Sequence, residues 1–149
     1  MTLLEELGAI TRALDAGGVD YALVGGLAVA VWGASRATQD IDLLVRPEAL
    51  DRALDAADRC GFRLRALPMT FKDGMELQRV SKVEGGALVT IDFLLVNTNL
   101  EAVWASRRAL AMETGPLWVI SREALIQMKL AAGRPQDAVD VQNLMEIDR

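Results

Sequence analysis

The chain has no histidine among its 149 residues. That absence removes imidazole acid–base chemistry, Ser-His-Asp and Cys-His nucleophilic sites, and almost every zinc arrangement. Cysteine is reduced to Cys60, so no internal disulfide forms, and Cys60 reads as a small buried hydrophobe at a helix end. Positive charge is not in excess: 16 Lys and Arg face 21 Asp and Glu, for a net charge of −5 and a pI of about 4.8. Broad non-specific nucleic-acid surfaces are basic, so that class is excluded, although a local basic groove is not. The longest uncharged stretch runs between Asp20 and Arg36 and holds three glycines. A membrane span needs ~20 apolar residues, so no membrane partner is expected. The opening Met1-Thr-Leu-Leu-Glu-Glu carries acids where a secretory leader carries bases, and a cytoplasmic location is the expectation.

What remains for chemistry is carboxylates, Lys, Arg, hydroxyls and backbone amides. Hard oxygen donors favour magnesium or manganese. Hydrophobic residues make up 52% and charged residues 25%, the balance of a globular chain, and the length suits one domain with a real core. No repeat, linker or low-complexity stretch interrupts it.

Leu3, Leu4, Leu7, Ile10 and Leu14 recur at helical spacing, and Gly17-Gly18 end that helix. Tyr21–Val24 reads as a buried strand, Leu27–Trp32 as a short helix, Ser35–Gln39 as a loop, and Asp40–Val45 as a second strand. Pro47 opens a helix to about Arg59, closed by Gly61. Phe62–Leu67 reads as a strand, and Glu76–Lys82 with Ala87–Val96 as a hairpin around Gly85-Gly86. Asn99–Leu110 is expected to be helical and Leu117–Ile120 a strand. Ser121 caps a helix to about Ala132, and a last helix starts at Pro135. Alternating helices and strands, interrupted by a hairpin, give an α/β (α+β) expectation: a mixed sheet packed with helices, in a single domain over 1–149 with short C-terminal helices in 121–147.

The segment that carries most information is Tyr21-Ala-Leu-Val-Gly-Gly-Leu-Ala followed by Arg36-Ala-Thr38-Gln-Asp40-Ile-Asp42-Leu-Leu-Val. A Gly25-Gly26 turn leaves a strand and opens a helix, and the next strand carries two aspartates on alternate positions. Alternate strand residues share a face, with α-carbons ~7 Å apart. Two carboxylates so close are costly unless a cation holds them. A glycine turn at a helix start beside such a pair suits a metal-bound triphosphate. Gly25-Gly26 alone is a weak signal, lacking the Gly-Lys-Ser/Thr end of a P-loop.

Asp92 is a lone acid between Val89-Thr90-Ile91 and Phe93-Leu94-Leu95-Val96. Two readings stand for it. If its strand lies beside Asp40–Val45, three carboxylates converge into a two-metal arrangement, with Asp92 as a further ligand or as the base that takes a hydroxyl proton. Otherwise it partners an arginine across the sheet. Arg36, with Thr38 in the loop before the acid strand, either forks onto phosphate or forms a surface ion pair. Lys129 lies on a helix that is apolar nearly all round, so it snorkels, pairs, or meets a phosphate. Asp137 and Asp140 start the last helix, where the helix dipole and a pair to Arg134 account for them. Arg63, Arg65, Lys72, Arg79 and Lys82 oppose only Asp73 and Glu76 in 62–82, which is either a strip for an anionic acceptor or a solvated hairpin.

With Gly25-Gly26, Arg36, Thr38, Asp40-Ile-Asp42 and Asp92 assembled, the chain resembles the minimal nucleotidyltransferases of the DNA polymerase β-like superfamily. Met128-Lys-Leu-Ala-Ala-Gly-Arg-Pro-Gln-Asp-Ala-Val-Asp is similar to the Lys-Leu-x-Ala…Arg…Asp…Asp segment of the AbiEii/AbiGii-type toxin nucleotidyltransferases. The resemblance covers about Tyr21 to Leu144. It implies a polymerase β-like fold and magnesium-dependent (or manganese-dependent) transfer of a nucleoside monophosphate from an NTP to an acceptor hydroxyl. It also implies that Asp40, Asp42 and Asp92 hold the metals, with Gly25, Gly26, Arg36, Thr38 and Lys129 at the nucleotide. Gly26 departs from the commoner serine, leaving only backbone amides. The leading functional expectation is a toxin–antitoxin component acting on tRNA, with an antitoxin protein as partner. The alternatives are an antibiotic- or protein-modifying nucleotidyltransferase, and a non-catalytic nucleotide-binding module.

Overall fold

The computed structural model describes residues 1–33 and 40–147. Helix α1 (Leu3–Ala16) starts where Thr2 accepts from the Glu5 amide while the Glu5 carboxylate accepts from Thr2, and it stops at Gly17. Strand β1 (Ala22–Val24) runs straight into α2 (Gly25–Val31). Strand β2 (Asp40–Val45) follows, then a 3-10 turn at Pro47–Ala49 and α3 (Leu50–Arg59). Two short strands, β3 (Leu64–Arg65) and β4 (Met69–Thr70), precede the long hairpin of β5 (Glu76–Glu84) and β6 (Ala87–Leu95). A short helix α4 (Glu101–Ala105), a hairpin of β7 (Arg108–Met112) and β8 (Gly115–Val119), and helices α5 (Arg122–Ala132) and α6 (Pro135–Met145) complete the chain.

The strands form one eight-stranded sheet in the order β3-β5-β6-β2-β1-β8-β7, with β4 also on β5. The pairs β2–β6 and β1–β8 are parallel and the others antiparallel, so the sheet is mixed, as the sequence pattern implied. One face carries Ile41, Leu43, Val80, Ile91 and Phe93, all fully buried. Helices α1 and α3 cover it. A buried ion pair between Lys82 and Glu6, at 2.7 Å, ties β5 to α1, and Lys82 also donates to the Cys60 carbonyl at the end of α3. The opposite face carries the acids. Helix α2 is fixed at its far end by Trp32, whose ring N–H donates to the Ile120 carbonyl at 3.0 Å. Among the described residues no helix is long and apolar enough to cross a membrane.

Two local expectations give way. The helix expected over Asn99–Leu110 is only a 3-10 turn plus α4, and Arg108–Met112 is instead an edge strand paired with β8. Pairing with a partner close in sequence outweighs a helical pattern of alanine and leucine there. The strand expected over Phe62–Leu67 shrinks to β3, because Phe62 turns into the core and the chain returns to β5 through β4. The loop expected over Ser35–Gln39 lies outside the described residues.

Candidate active site

The register of the sheet sorts one face into rows. Asp42 lies directly beside Asp92, and Asp92 opposite Arg79, so β2, β6 and β5 contribute a charged row, Asp42–Asp92–Arg79. One step toward the start of β2 is a polar row of Asp40, Thr90 and Ser81, in which the Ser81 and Thr90 hydroxyls bond at 3.0 Å. One step the other way is an apolar row of Leu44, Leu94, Leu77 and Met69. The alternation of Asp92 with Ile91 and Phe93 decides this arrangement: the two apolar residues claim the covered face, leaving the acid on the other.

Asp42 sits between its neighbours' charges. Burial, with Asp92 and then Asp40 as like charges, raises its pKa to about 7, while Lys129 and Arg79 pull weakly the other way. Behind it stands Gly25, which opens α2 with a φ of 74°. A Cβ on Gly25 would lie 2.1 Å from the Asp42 Oδ2, so the glycine is required twice, by backbone conformation and by the carboxylate's approach. Gly26 is buried in the first turn of α2. Val24, opposite Asp42 on β1, completes the contact between turn and acid strand.

Asp92 is only 5% exposed, and Arg79 grips it with both arms of its fork, Nε to Oδ1 at 2.8 Å and Nη2 to Oδ2 at 3.0 Å. Asp92 thus has the arginine across the sheet that one sequence reading expects, and its strand lies beside Asp40–Val45, which is the condition the other reading sets.

A second charged group faces the first from α5 and α6. Lys129 is buried, with its Nζ 3.3 Å from Asp137 and 3.1 Å from Asp140. Asp137 also takes a forked pair from Arg134, at 2.7 and 3.1 Å, plus the Arg134 amide at 3.0 Å. Those hydrogen bonds from Arg134 hold its carboxyl down at about 2. Gln136 donates to Asp140 at 3.0 Å. The structure thus gives the Lys129 ammonium two internal carboxylates. Arg134, 68% exposed at the cavity wall, is the more open cation of this group. The periodicity of α5 flagged Lys129, but its partners come from another helix. The lysine and the aspartates lie on either side of the Gly133 turn, which folds α6 back on α5.

Both groups line a cavity of about 910 Å3 that includes Gly25, Asp40, Asp42, Arg79, Asp92, Lys129 and Arg134. Arg36 and Thr38 lie outside the described residues. Cys60 is half-buried, its thiol pushed up by burial and turned to the Ala9 carbonyl, away from the cavity.

The donor set fits a hard divalent cation: every candidate ligand is a carboxylate oxygen, and the like charge crowding Asp42 is what a cation relieves. Among the described residues no three acids already stand as a metal-binding group. Arg79 holds both oxygens of Asp92.

Solved structures share this architecture. A lincomycin-bound lincosamide antibiotic adenylyltransferase, LnuA, is 17% identical with a TM-score of 0.64, covering 97% of each chain. ANT(2")-Ia in complex with adenylyl-2"-tobramycin is 19% identical, with a TM-score of 0.66 over 97% of this chain and 88% of its own. An antigenic nucleotidyltransferase-like protein from Paracoccidioides brasiliensis is 15% identical, with a TM-score of 0.62 over 95% of this chain and 74% of its own. At these identities the likeness establishes the fold. No curated protein sequence matches the chain. The family match is by contrast complete: over residues 1–149 the chain belongs to the family described as "Nucleotidyltransferase of unknown function (DUF6036)".

Proposed function

We propose that the protein moves a nucleoside monophosphate from an NTP to an acceptor hydroxyl, with Asp40, Asp42 and Asp92 at the reacting centre. The observation that carries this reading is the charged row: Asp42 beside Asp92, with Asp40 one step away, set against the close-packed turn at Gly25. The acceptor oxygen attacks the α-phosphorus, the bond from that phosphorus to the bridging oxygen breaks, and pyrophosphate leaves with the electron pair. Asp92 takes the hydroxyl proton once Arg79 yields one of its oxygens. Asp40 and Asp42, joined by Asp92 on its release from Arg79, are the residues that would hold magnesium or manganese. The metal, when bound, supplies charge stabilisation for the phosphates and the attacking oxygen. Gly25 and Gly26 bring backbone close to the phosphates, and Arg134 offers a forked donor from the other wall. Lys129 supports that wall from inside, by holding Asp137 and Asp140 together.

The finer placement beside the AbiEii/AbiGii-type toxins, with tRNA as acceptor and an antitoxin as partner, rests on the Lys129–Asp140 segment. A small-molecule acceptor is favoured by a different observation. Of the five cations in the strip over 62–82, Arg63 pairs with Asp58, Arg79 with Asp92 and Lys82 with Glu6. Most of the positive strip is thereby spent within the protein. The antibiotic acceptors of the adenylyltransferases above are small molecules of that kind. The test is incubation with α-phosphate-labelled NTPs, magnesium and separate pools of total RNA, cell protein and hydroxyl-bearing small molecules. Label on one pool together with pyrophosphate release supports transfer, orthophosphate release supports hydrolysis, and magnesium-dependent NTP binding without turnover supports a binding module.

A further inference from the structure

The apolar row beside the carboxylates is not used by the transfer step, and it extends into a wall. Met69, Phe71, Met75, Leu77, Leu94 and Leu100 line the same cavity as Asp42 and Asp92. Leu77 and Leu94 sit two residues along their strands from Arg79 and Asp92, on the same face, so the wall begins ~7 Å from the reacting carboxylates. Phe71 is 44% exposed and Met69 36%, an open aromatic and thioether surface at the cavity mouth. The turn that presents them is well built: Phe71 N–H donates to the Met75 carbonyl at 2.8 Å, Gly74 N–H to the Phe71 carbonyl at 2.9 Å, and Met75 N–H to the Asp73 side chain at 3.1 Å. Methionine adapts to irregular apolar shapes, which suits a ligand surface more than a fixed packing role.

Charge argues in the same direction. A polyanion draws its affinity from several unpaired cations along a track. Here Arg79 is committed to Asp92, Lys129 and Arg134 are held by Asp137, and Lys72 at the turn is a single cation rather than a track. From this wall we infer that the acceptor is a small uncharged molecule with an apolar body, resting on Phe71 and the methionines while its hydroxyl reaches toward Asp92. This assignment rests on the nucleotidyl-transfer reading. It places the nucleotide on the opposite side, between the Gly25 turn and α5.

The probe is N-phenyl-1-naphthylamine, a neutral apolar fluorophore, titrated into the full chain holding magnesium and a non-hydrolysable ATP analogue. The wild type binds it; Phe71→Ser and Met75→Ser weaken it about fivefold or more, as expected when one apolar contact is lost. Calorimetry shows the same nucleotide affinity in both variants and the wild type. Octyl glucoside displaces the fluorophore, and a short single-stranded RNA does not. The inference is overturned if the wild type fails to bind the fluorophore, if RNA displaces it, or if the variants lose nucleotide affinity instead, which would make the wall a base pocket. Failure of the transfer reading is separate: it shows in the wild type as absent magnesium-dependent nucleotide binding, or as such binding with no label transferred to any acceptor pool. Circular dichroism melts confirm that both variants fold, and Met75→Leu, which keeps the apolar contact, retains fluorophore binding.

Discussion

Arg79 holds Asp92 by both carboxylate oxygens, and in doing so it occupies the group that would complete a three-carboxylate site with Asp40 and Asp42. Asp92 is buried whereas the Arg79 side chain is 44% exposed, so the arginine is the partner able to move. Arg79→Gln leaves Asp92 facing Asp42 without the guanidinium that held it. Without metal, the variant should lose about 1–2 kcal/mol, less than a fully buried pair because Arg79 is half in water. Magnesium or manganese should then raise its melting temperature more than it raises that of the wild type, because the cation no longer competes with the guanidinium. An equal or smaller metal response in Arg79→Gln would show that Arg79 does not gate Asp92.

Asp42→Asn removes the like charge at the centre of the row. The native pKa of Asp42, about 7, lies above its ordinary value of 3.8. The native state therefore binds the extra proton between roughly pH 4 and 7, and stability falls as pH rises through that window. The asparagine variant should escape this loss. At pH 8 without metal it should be more stable than the wild type, by about 1–3 kcal/mol, and should lose the metal-dependent gain. Urea unfolding at pH 5 and pH 8, with and without magnesium, reads both effects.

Gly25→Ala should destabilise the fold by at least about 1–2 kcal/mol from the left-handed backbone alone. Its Cβ would also displace the Asp42 carboxylate, lying 2.1 Å from Oδ2. Thermal melts measure the first effect. The second shows as a loss of metal response even in protein that remains folded.

Lys129→Met should cost about 1–3 kcal/mol, since it removes the ammonium that Asp137 and Asp140 share while Arg134 still holds Asp137 and Gln136 still donates to Asp140. Asp137 adds an acid-side signature. Its native pKa of about 2 lies below the ordinary 3.8, held there by Arg134. That stability is present above about pH 4 and lost as pH falls toward 2, and Asp137→Asn should flatten this part of the acid unfolding curve.

What the sequence disclosed and what it withheld have a common cause. Asp40–Val45 and the alternation around Asp92 were legible because a period of two assigns each residue a face, and one face here is fully buried. The sequence leaves the pairing of β2 with β6 open, and the register settles it by setting Asp42 beside Asp92. Helix α1 was legible from the spacing of Leu3, Leu4, Leu7, Ile10 and Leu14, and the capped helix α5 from Ser121. By contrast, β7 exists only because β8 offers it a partner, and nothing in Arg108-Ala-Leu-Ala-Met prefers strand locally. The partners of Lys129 were withheld for a similar reason. The Gly133 turn brings Asp137 and Asp140 onto it, and the spacing along either helix alone does not reveal that meeting. The spending of the basic strip on Asp58, Asp92 and Glu6 likewise appears only in three dimensions.

The central claim is nucleotidyl transfer through the carboxylate row, and one measurement reaches it directly. Wild-type protein and Asp42→Asn are incubated with magnesium, each α-phosphate-labelled NTP in turn, and the pooled RNA, protein and small-molecule acceptors, while pyrophosphate is quantified. The account predicts label on an acceptor, one pyrophosphate for each label transferred, and neither product from the folded Asp42→Asn variant. Label transfer that persists in Asp42→Asn, or magnesium-dependent NTP binding by the wild type with no transfer to any pool, would contradict it.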